Sequence, residues 1–416
     1  MNLAEDVREE YQRRRMENWS DTRLLAATGD VLSRPKEAPA DSFVLHAPLE
    51  LLARAGLLRH VRPVEREHAR QRLVWLAATY ANAGEPVHEP PRFEAPSIEA
   101  GASTLVVALE RGELDDVDRV AKWLGERATP AELRRLLAEP VAASLAAAAH
   151  ASILLYLFPR VAPGGEVSGC ILRGPARELA RYPEWRLRWF EDPDLANGGA
   201  TLGDALLDVP MLGTPGSDFI FPIMNQAEES GIAAKLLSGV TAGAVDVRMA
   251  RQELSRVAAW SMLQEPPDHA PYGWSHCLTM PQAVMGLAGD GATPRTAVAV
   301  AATHVVGFRA ALGRHQLVAE YAPDRPAIQA LGEAIAAGPA VAAAFVWHAP
   351  ESDFDEIVTT LATRASLHHD AHLVKYTLAC FDAAGADADY RRLYLAASAS
   401  LVAWWAQHPD DAFFAA

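Results

Sequence analysis

The sequence predicts an all-α protein, and three observations carry this prediction. Alanine, leucine, glutamate and arginine, which favour helices, are abundant along the chain. Alternating runs of β-branched and polar residues, which are typical of half-buried strands, are rare. Clusters of proline and glycine separate the helical segments, for example at 82–96 and 162–169. With 416 residues, of which 50% are apolar, the chain is long enough for one large or two ordinary domains. Since the sequence shows no clear boundary, we treat residues 1–416 as a single domain.

The helical segments follow from the apolar periodicity and from the proline and glycine breaks. The longest apolar run, 141–158, comes near the length of a membrane span. Its many alanines, together with Ser144, His150 and Ser152, favour a buried core helix instead. Helices are predicted at 2–17, 48–58, 64–83, 103–112, 114–127, 130–159, 174–190, 201–208, 222–238, 245–264, 281–288, 294–313, 325–337, 351–367, 368–384 and 387–407.

The charge balance argues against two classes of partner. The chain carries 38 lysine and arginine residues against 53 aspartate and glutamate residues. This excess of negative charge disfavours nonspecific binding to nucleic acid and to anionic membrane surfaces. The basic runs are short, and no interleaving of aromatic and basic residues resembles a nucleic-acid binding platform. We therefore expect neither nucleic acid nor a membrane as a partner.

The cysteine content and residues 1–15 together predict the cellular compartment of the protein. Cys170, Cys277 and Cys380 are too few and too scattered for a disulfide framework or a thiolate zinc site. Residues 1–15 are charged throughout and contain no apolar segment, so we expect no secretory signal. A cytoplasmic protein is the prediction.

A cluster of histidines near the C-terminus carries the most chemical information. With about 100° between successive helical residues, His368, His372 and Lys375 would share one stripe of the predicted helix 368–384. Histidines at this spacing can bind one iron, zinc or copper ion. A histidine-rich solvated face is the alternative. Apolar neighbours such as Leu373 and Val374 favour burial, and buried imidazoles need partners.

Lys375 is the unusual member of this cluster. A protonated ammonium repels a metal cation, so a lysine beside a metal has to lose its proton or be modified. Burial lowers the pKa of lysine and favours the neutral amine. A neutral amine can also take up carbon dioxide and become a carbamate, which is an anionic oxygen ligand. We therefore regard Lys375 as a candidate metal ligand.

Four further histidines lie in apolar settings. His46 is expected at the entrance of a helix that continues after Pro48, and His150 in the middle of helix 130–159. His276 is expected just before another helix, and His304 inside an apolar helix. For any one of them, a hydrogen-bonded core histidine is the more common explanation. Four such cases together indicate a shared site.

The C-terminal pattern resembles that of the questin oxidase-like proteins. Residues 370–380, which read DAHLVKYTLAC, are similar to the Asp-x-His-x-x-Lys segment of that family, and the likeness continues through 387–390 and 393–397. Weaker matches are the His-x-Pro of His46 and Pro48, the His150 region, 202–207 and 274–283. Two departures are Leu45 in place of an asparagine and a segment after His150 that lacks the family's glycine and arginine.

The resemblance implies an all-α fold around a mononuclear non-haem iron that activates dioxygen against a quinone-like aromatic polyketide. The ligands it implies are His46, His150, His276, His372 and a carboxylated Lys375. His304 and His368 are the substitutes if one assignment fails. Because imidazole discriminates weakly among metals, zinc or manganese could replace iron. NADPH is a possible reductant.

Aromatic residues near these histidines are candidates for a wall that contacts the substrate. Trp274, Tyr272, Phe308 and Tyr376 are assigned this role, with ordinary core packing as the alternative. Oxygen insertion next to a carbonyl, followed by ring cleavage, is the expected reaction.

Other classes of function compete with this interpretation. The pair His369 and Asp370 is typical of metal-dependent phosphohydrolases, but Lys375 has no purpose there. The acidic run 115–118 could bind magnesium as in a terpene cyclase, although an exposed acidic helix face explains it better. An NADPH-dependent or flavin oxidase lacks its glycine-rich loop here. A non-catalytic helical binding or scaffold protein is the remaining alternative.

Overall fold

The computed structural model describes residues 3–192, 201–216, 219–241 and 246–408. Within these ranges the chain forms twenty α-helices and no β-strand, which confirms the predicted all-α class. The helices are α1 Leu3–Arg13, α2 Asp21–Leu32, α3 Ser42–Leu57, α4 Arg66–Ala81, α5 Ile98–Arg111, α6 Leu114–Arg127, α7 Pro130–Ala142, α8 His150–Val161, α9 Arg173–Arg181, α10 Leu202–Leu207, α11 Ile220–Glu229, α12 Ile232–Thr241, α13 Val247–Gln264, α14 Ser275–Leu287, α15 Pro294–Leu312, α16 Leu331–Ala337, α17 Pro339–His348, α18 Phe354–Leu367, α19 Ala371–Ala386 and α20 Arg391–Ala406.

Polar side chains fix where many of these helices begin. Ser20, Ser97 and Thr293 each accept a hydrogen bond from a backbone N–H in the first turn of α2, α5 and α15. Thr129 and Glu132 form a reciprocal capping box at the start of α7. These interactions satisfy N–H groups that have no partner within the helix itself.

Several predicted helix boundaries are wrong, and each error has a local cause. The segment predicted as one helix at 222–238 is two helices, because Gly231 adopts a positive φ of 71° between them. The helix predicted at 174–190 ends at Arg181, ahead of Pro183. Helices α2 and α17 were not predicted. Helix α17 is apolar around nearly its whole circumference, so it lacks the periodicity that marks an amphipathic helix.

The boundary between α18 and α19 corrects the prediction for the histidine cluster. Helix α18 ends at Leu367, and His368 has an extended backbone with φ −74° and ψ 152°. Helix α19 begins only at Ala371, with Asp370 as its N-cap. His368 therefore does not share a helical stripe with His372 and Lys375. The strong capping preference of aspartate decides the break.

Four helices that are distant in sequence pack together in the interior. Helix α3 packs against α8 and α19, and α14 packs against the same two helices. Helix α15 packs against α14 and is itself almost entirely buried. The main buried core includes residues from Tyr11 to Trp405. The division into domains stays a prediction. Within the described ranges, no helix is both long enough and apolar enough to cross a bilayer.

Candidate metal centre

Helices α3, α8, α14 and α19 each bring one histidine to a single point in the interior. These histidines are His46, His150, His276 and His372, and each is at most 7% exposed. Lys375, one turn after His372 on α19, is also buried. The four histidines that the resemblance implied therefore lie together, whereas His304, which the sequence pattern grouped with three of them, does not.

The ring nitrogens of these histidines are close enough to bind one ion. Those of His46, His276 and His372 lie within 4.8 Å of one another. The Nε2 atom of His150 lies 2.9 Å from Nε2 of His46 and 3.3 Å from Nε2 of His276. An ion at their centre would need only small side-chain movements to reach the usual metal to nitrogen distance of about 2.1 Å.

A carbonyl or a carboxylate faces the other side of each ring. Nδ1 of His46 lies 2.5 Å from the carbonyl oxygen of Ser42, and Nδ1 of His150 lies 2.6 Å from that of Ala148. The His276 ring forms a hydrogen bond with the backbone of Tyr272. Nδ1 of His372 lies 3.4 Å from Oδ2 of Asp370. Metal-binding histidines characteristically have such a partner on the second nitrogen.

These contacts fix the tautomers of His46 and His150. A carbonyl oxygen can only accept a hydrogen bond, so each Nδ1 carries the proton. Burial lowers the pKa of both rings well below its ordinary value, with a further contribution from the nearby Lys375. Both rings are then neutral, and their Nε2 atoms carry unprotonated lone pairs. Two lone pairs that face each other at 2.9 Å repel unless a cation lies between them.

The backbone before His150 has an unusual conformation. Ala147, Ala148 and Ala149 adopt positive φ values of 51°, 48° and 58°. The left-handed conformation costs an L-residue about 1–2 kcal/mol. It brings the carbonyl of Ala148 to Nδ1 of the His150 ring.

His150 therefore begins α8, and its predicted position in the middle of helix 130–159 is wrong. Tertiary pairing explains the break. The N–H of Leu145 donates to the carbonyl of Trp185 at 2.7 Å, and the N–H of Leu187 donates to that of Ala143 at 2.9 Å. Alanine favours a helix, but this pairing draws the chain out of it.

His46 and His276 lie inside helices rather than before them. Helix α3 begins at Ser42, where the Asp41 side chain accepts from Val44 N–H at 2.8 Å. Its Pro48 lies within the helix, so the prediction of a start at residue 48 is wrong. Helix α14 begins at Ser275, directly after a π-helical turn at 270–274. The wider turn places the Tyr272 carbonyl against His276.

Asp370 positions His372 through two kinds of contact. Its Oδ1 accepts from the N–H of His372 at 2.8 Å and from that of Leu373 at 3.0 Å, which caps α19. Its Oδ2 faces the imidazole of His372. The neighbouring His372 imidazole and the hydrogen bonds offset the effect of burial and hold the pKa of Asp370 below its usual value. The residue therefore stays ionised.

Lys375 lies beside the histidines without a hydrogen-bond partner among the described residues. Burial lowers the pKa of its amine to about 7, although Asp370 and Glu50 oppose this shift. At neutral pH a large share of the amine is unprotonated. Such an amine can bind a metal or react with carbon dioxide.

The four histidines line one end of a cavity of about 430 Å³. Phe308 also lines it, with its ring nearly parallel to that of His276 at 6.4 Å, as does Tyr272, whose ring lies 4.8 Å from that of His372. No lysine or arginine is among the described residues that line it. The lining residues are Ala40, Asp41, Ser42, Leu45, His46, Ala148, His150, Phe219, Ile220, His269, Tyr272, Gly273, His276, Phe308, Leu312 and His372.

Four of the predicted residues lie elsewhere. Trp274 and Tyr376 are fully buried and do not line this cavity, so their assignment to the substrate wall is corrected. The hydroxyl of Tyr376 is buried near Cys380 instead. His304 is buried with no partner for either ring nitrogen among the described residues, and it is not in the cluster. The His368 ring packs 4.8 Å from that of Trp405, away from the cluster.

Sequence reasoning missed the groups that orient the ligands. The carbonyls of Ser42, Ala148 and Tyr272 leave no trace in residue identity, because every residue has one. Asp370 could have been recognised as an N-cap from its place before an apolar helix. The buried charges of Glu50 and Arg54, on the same helix as His46, could have been noticed from their spacing.

Comparisons with family models, with curated proteins and with solved structures give no match. The resemblance to the questin oxidase-like proteins therefore stays a prediction. A function for this chain has to be inferred from the geometry and chemistry of the histidine cluster.

Proposed function

We propose that this protein is a metal-dependent oxygenase that oxidises a quinone-like aromatic polyketide. The observation that carries the proposal is the approach of two unprotonated Nε2 atoms, of His46 and His150, to 2.9 Å. In a neutral and buried cluster, a bound cation is the simplest source of attraction between such atoms.

The proposed ligands are His46, His150, His276, His372 and Lys375. Four neutral imidazoles suit iron, zinc and manganese, and a carbamate on Lys375 would lower the net charge of the site by one. Bound iron would supply the activation of dioxygen, which an organic side chain cannot perform. The carbonyl and carboxylate partners would keep each Nε2 directed toward the ion.

The cavity beside the cluster supports an apolar aromatic substrate. Its volume of about 430 Å³ falls within the range of small-molecule sites. Phe308 would pack against a ring of the substrate, and Tyr272, which is 52% exposed, would lie at the mouth. Enclosure by these side chains would exclude water from the reacting oxygen species. NADPH is a candidate reductant.

The composition of the site favours this proposal over hydrolysis. The phosphohydrolases considered above hold their metals with histidine and aspartate together. The group proposed here contains histidines, and the neighbouring Asp370 is engaged with the backbone of α19 and with His372. Oxidative cleavage or Baeyer–Villiger-type oxidation is the reaction class we propose. A cytoplasmic location is part of the same proposal.

The test is metal content together with oxygen consumption. Purified protein is expected to hold about one iron ion per chain and to consume oxygen with a hydroxylated anthraquinone. His150→Ala and His276→Ala should lose both properties. His304→Leu, which changes an equally buried histidine outside the cluster, should keep both. A protein without metal, or one whose His150→Ala variant keeps its iron, would rule the proposal out.

A further inference from the structure

A buried ion pair lies on the same helix as His46. Glu50 and Arg54 follow His46 at intervals of four residues on α3, so all three share one face. Nε of Arg54 donates to Oε1 of Glu50 at 2.7 Å. The two side chains are 1% and 2% exposed, with Arg54 the more buried.

The Arg54 guanidinium also donates hydrogen bonds to backbone carbonyls at the end of α18. Its Nη1 donates to the carbonyl of Ser366 at 2.7 Å, and its Nη2 donates to that of His368 at 2.5 Å. Arg72 of α4 donates from Nε to the carbonyl between them, Leu367, at 2.7 Å. Two guanidinium groups thus satisfy three consecutive carbonyls at the C-terminal end of α18, where a cation is electrostatically favoured.

These contacts connect two of the proposed ligand helices. The carbonyl of His368 lies only two residues before Asp370, the N-cap of α19. Asp370 in turn contacts both the backbone and the ring of His372. The position of His372 relative to His46 therefore depends on Arg54, which is fixed to α3 at one end and to the α18–α19 connection at the other.

General stability alone does not explain a charged pair in this place. Replacing a buried ion pair by apolar residues of similar size is often neutral or stabilising. An arginine offers something that an apolar side chain cannot, because its planar fork binds a carboxylate and two carbonyls in fixed directions. Directional contact is useful where two ligands have to be held at a defined separation.

We propose that the Glu50–Arg54 pair is a positioning element that sets the separation between His46 and His372 for metal binding. This inference rests on the proposed metal site and adds residues that do not touch the ion. Arg54 acts through the α18–α19 connection and Asp370. Glu50 acts by orienting the guanidinium and by balancing its charge.

The test compares two double variants. Glu50→Gln/Arg54→Met removes both charges, so that neither is left unpaired. Asp118→Asn/Arg173→Met is the matched control, because that pair is also buried, with contacts of 2.8 and 2.9 Å, and joins α6 to α9, which carry no proposed ligand. Affinity for Co²⁺ is measured by competition with a chelator, and the visible spectrum of the Co²⁺ protein reports its coordination.

Glu50→Gln/Arg54→Met is expected to bind Co²⁺ at least about tenfold more weakly and with an altered spectrum. The control should retain the affinity and the spectrum, even if its melting temperature falls. Arg54→Lys should lie between wild type and the double variant, since one ammonium cannot contact all three oxygens. Unchanged Co²⁺ affinity and spectrum in the folded Glu50→Gln/Arg54→Met protein would overturn the inference.

A second measurement separates this inference from the proposed function. The nitrogen chemical shifts of the imidazoles in the metal-free protein report the tautomer of His372. We expect Nδ1–H alone in the wild type and mixed tautomers in Glu50→Gln/Arg54→Met. A wild type that binds no metal would overturn the proposed function. A single, unchanged His372 tautomer in the double variant would overturn the positioning role, whether or not metal binds.

Discussion

Asp370 caps helix α19 and at the same time faces the imidazole of His372, with Oδ2 at 3.4 Å from Nδ1. One carboxylate thus sets both the start of the helix and the direction of a proposed ligand. The two roles can be separated, because asparagine caps a helix about as well as aspartate but carries no charge.

Asp370→Asn is expected to weaken metal affinity by about tenfold, as is usual when a carboxylate partner of a ligand histidine is changed. Its free energy of unfolding should change little, because the cap is retained. Asp370→Ala should lose the same affinity and also about 1 kcal/mol of stability. Chelator competition and urea denaturation measure the two effects. Equal stability losses in both variants would contradict the separation.

Replacing Lys375 is expected to have opposite effects on metal binding and on stability. Lys375→Met removes the amine, so bound metal should be lost. In the metal-free protein at pH 7 the same change should raise the free energy of unfolding by about 4 kcal/mol, because a buried amine with a pKa of about 7 disfavours folding.

Lys235→Met is the control for this prediction, since Lys235 is exposed on α12. It should change neither quantity. Removal of dissolved carbon dioxide should slow metal loading of the wild type if Lys375 binds as a carbamate. A Lys375→Met protein that retains its metal would reject the ligand role.

The left-handed turn before His150 should tolerate glycine better than an ordinary helix does. Ala147→Gly relieves a positive φ of 51°, which offsets the entropic cost of glycine, so stability should be unchanged within about 0.5 kcal/mol. Ala78→Gly, in the interior of α4, should cost about 1 kcal/mol. Urea denaturation compares the two variants. Equal losses would argue against the left-handed conformation.

The free energy of unfolding should depend on pH because His304 is buried. Burial lowers the pKa of its ring from 6.5 to about 4. Between these values the unfolded chain binds more protons than the folded protein, so this group lowers stability as the pH falls from 6.5 toward 4. The loss amounts to about 3 kcal/mol. His304→Leu should show a shallower decline in denaturation experiments across this range. Parallel curves for the two proteins would contradict the shifted pKa.

Residue type and spacing indicated a buried site that contains histidine and Lys375, and the resemblance implied which four histidines meet. Neither source indicated how the backbone directs these side chains. Buried histidines and a lysine are recognisable because they are costly in an apolar interior without partners. The placement of His368 was wrong because helical spacing was applied across an N-cap. The turn at 147–149 could not be predicted, since alanine carries no signal for a left-handed conformation. Its cause is the pairing of residues 143–145 with 185–187, which are distant in sequence.

The proposed ligands come from helices that lie far apart along the chain, from α3 to α19. A growing polypeptide therefore lacks His372 and Lys375 until α19 has been synthesised. Chains that stop before α19 would present only three imidazoles and no amine. The complete set of proposed ligands would therefore form only after α19 has packed against α3 and α14.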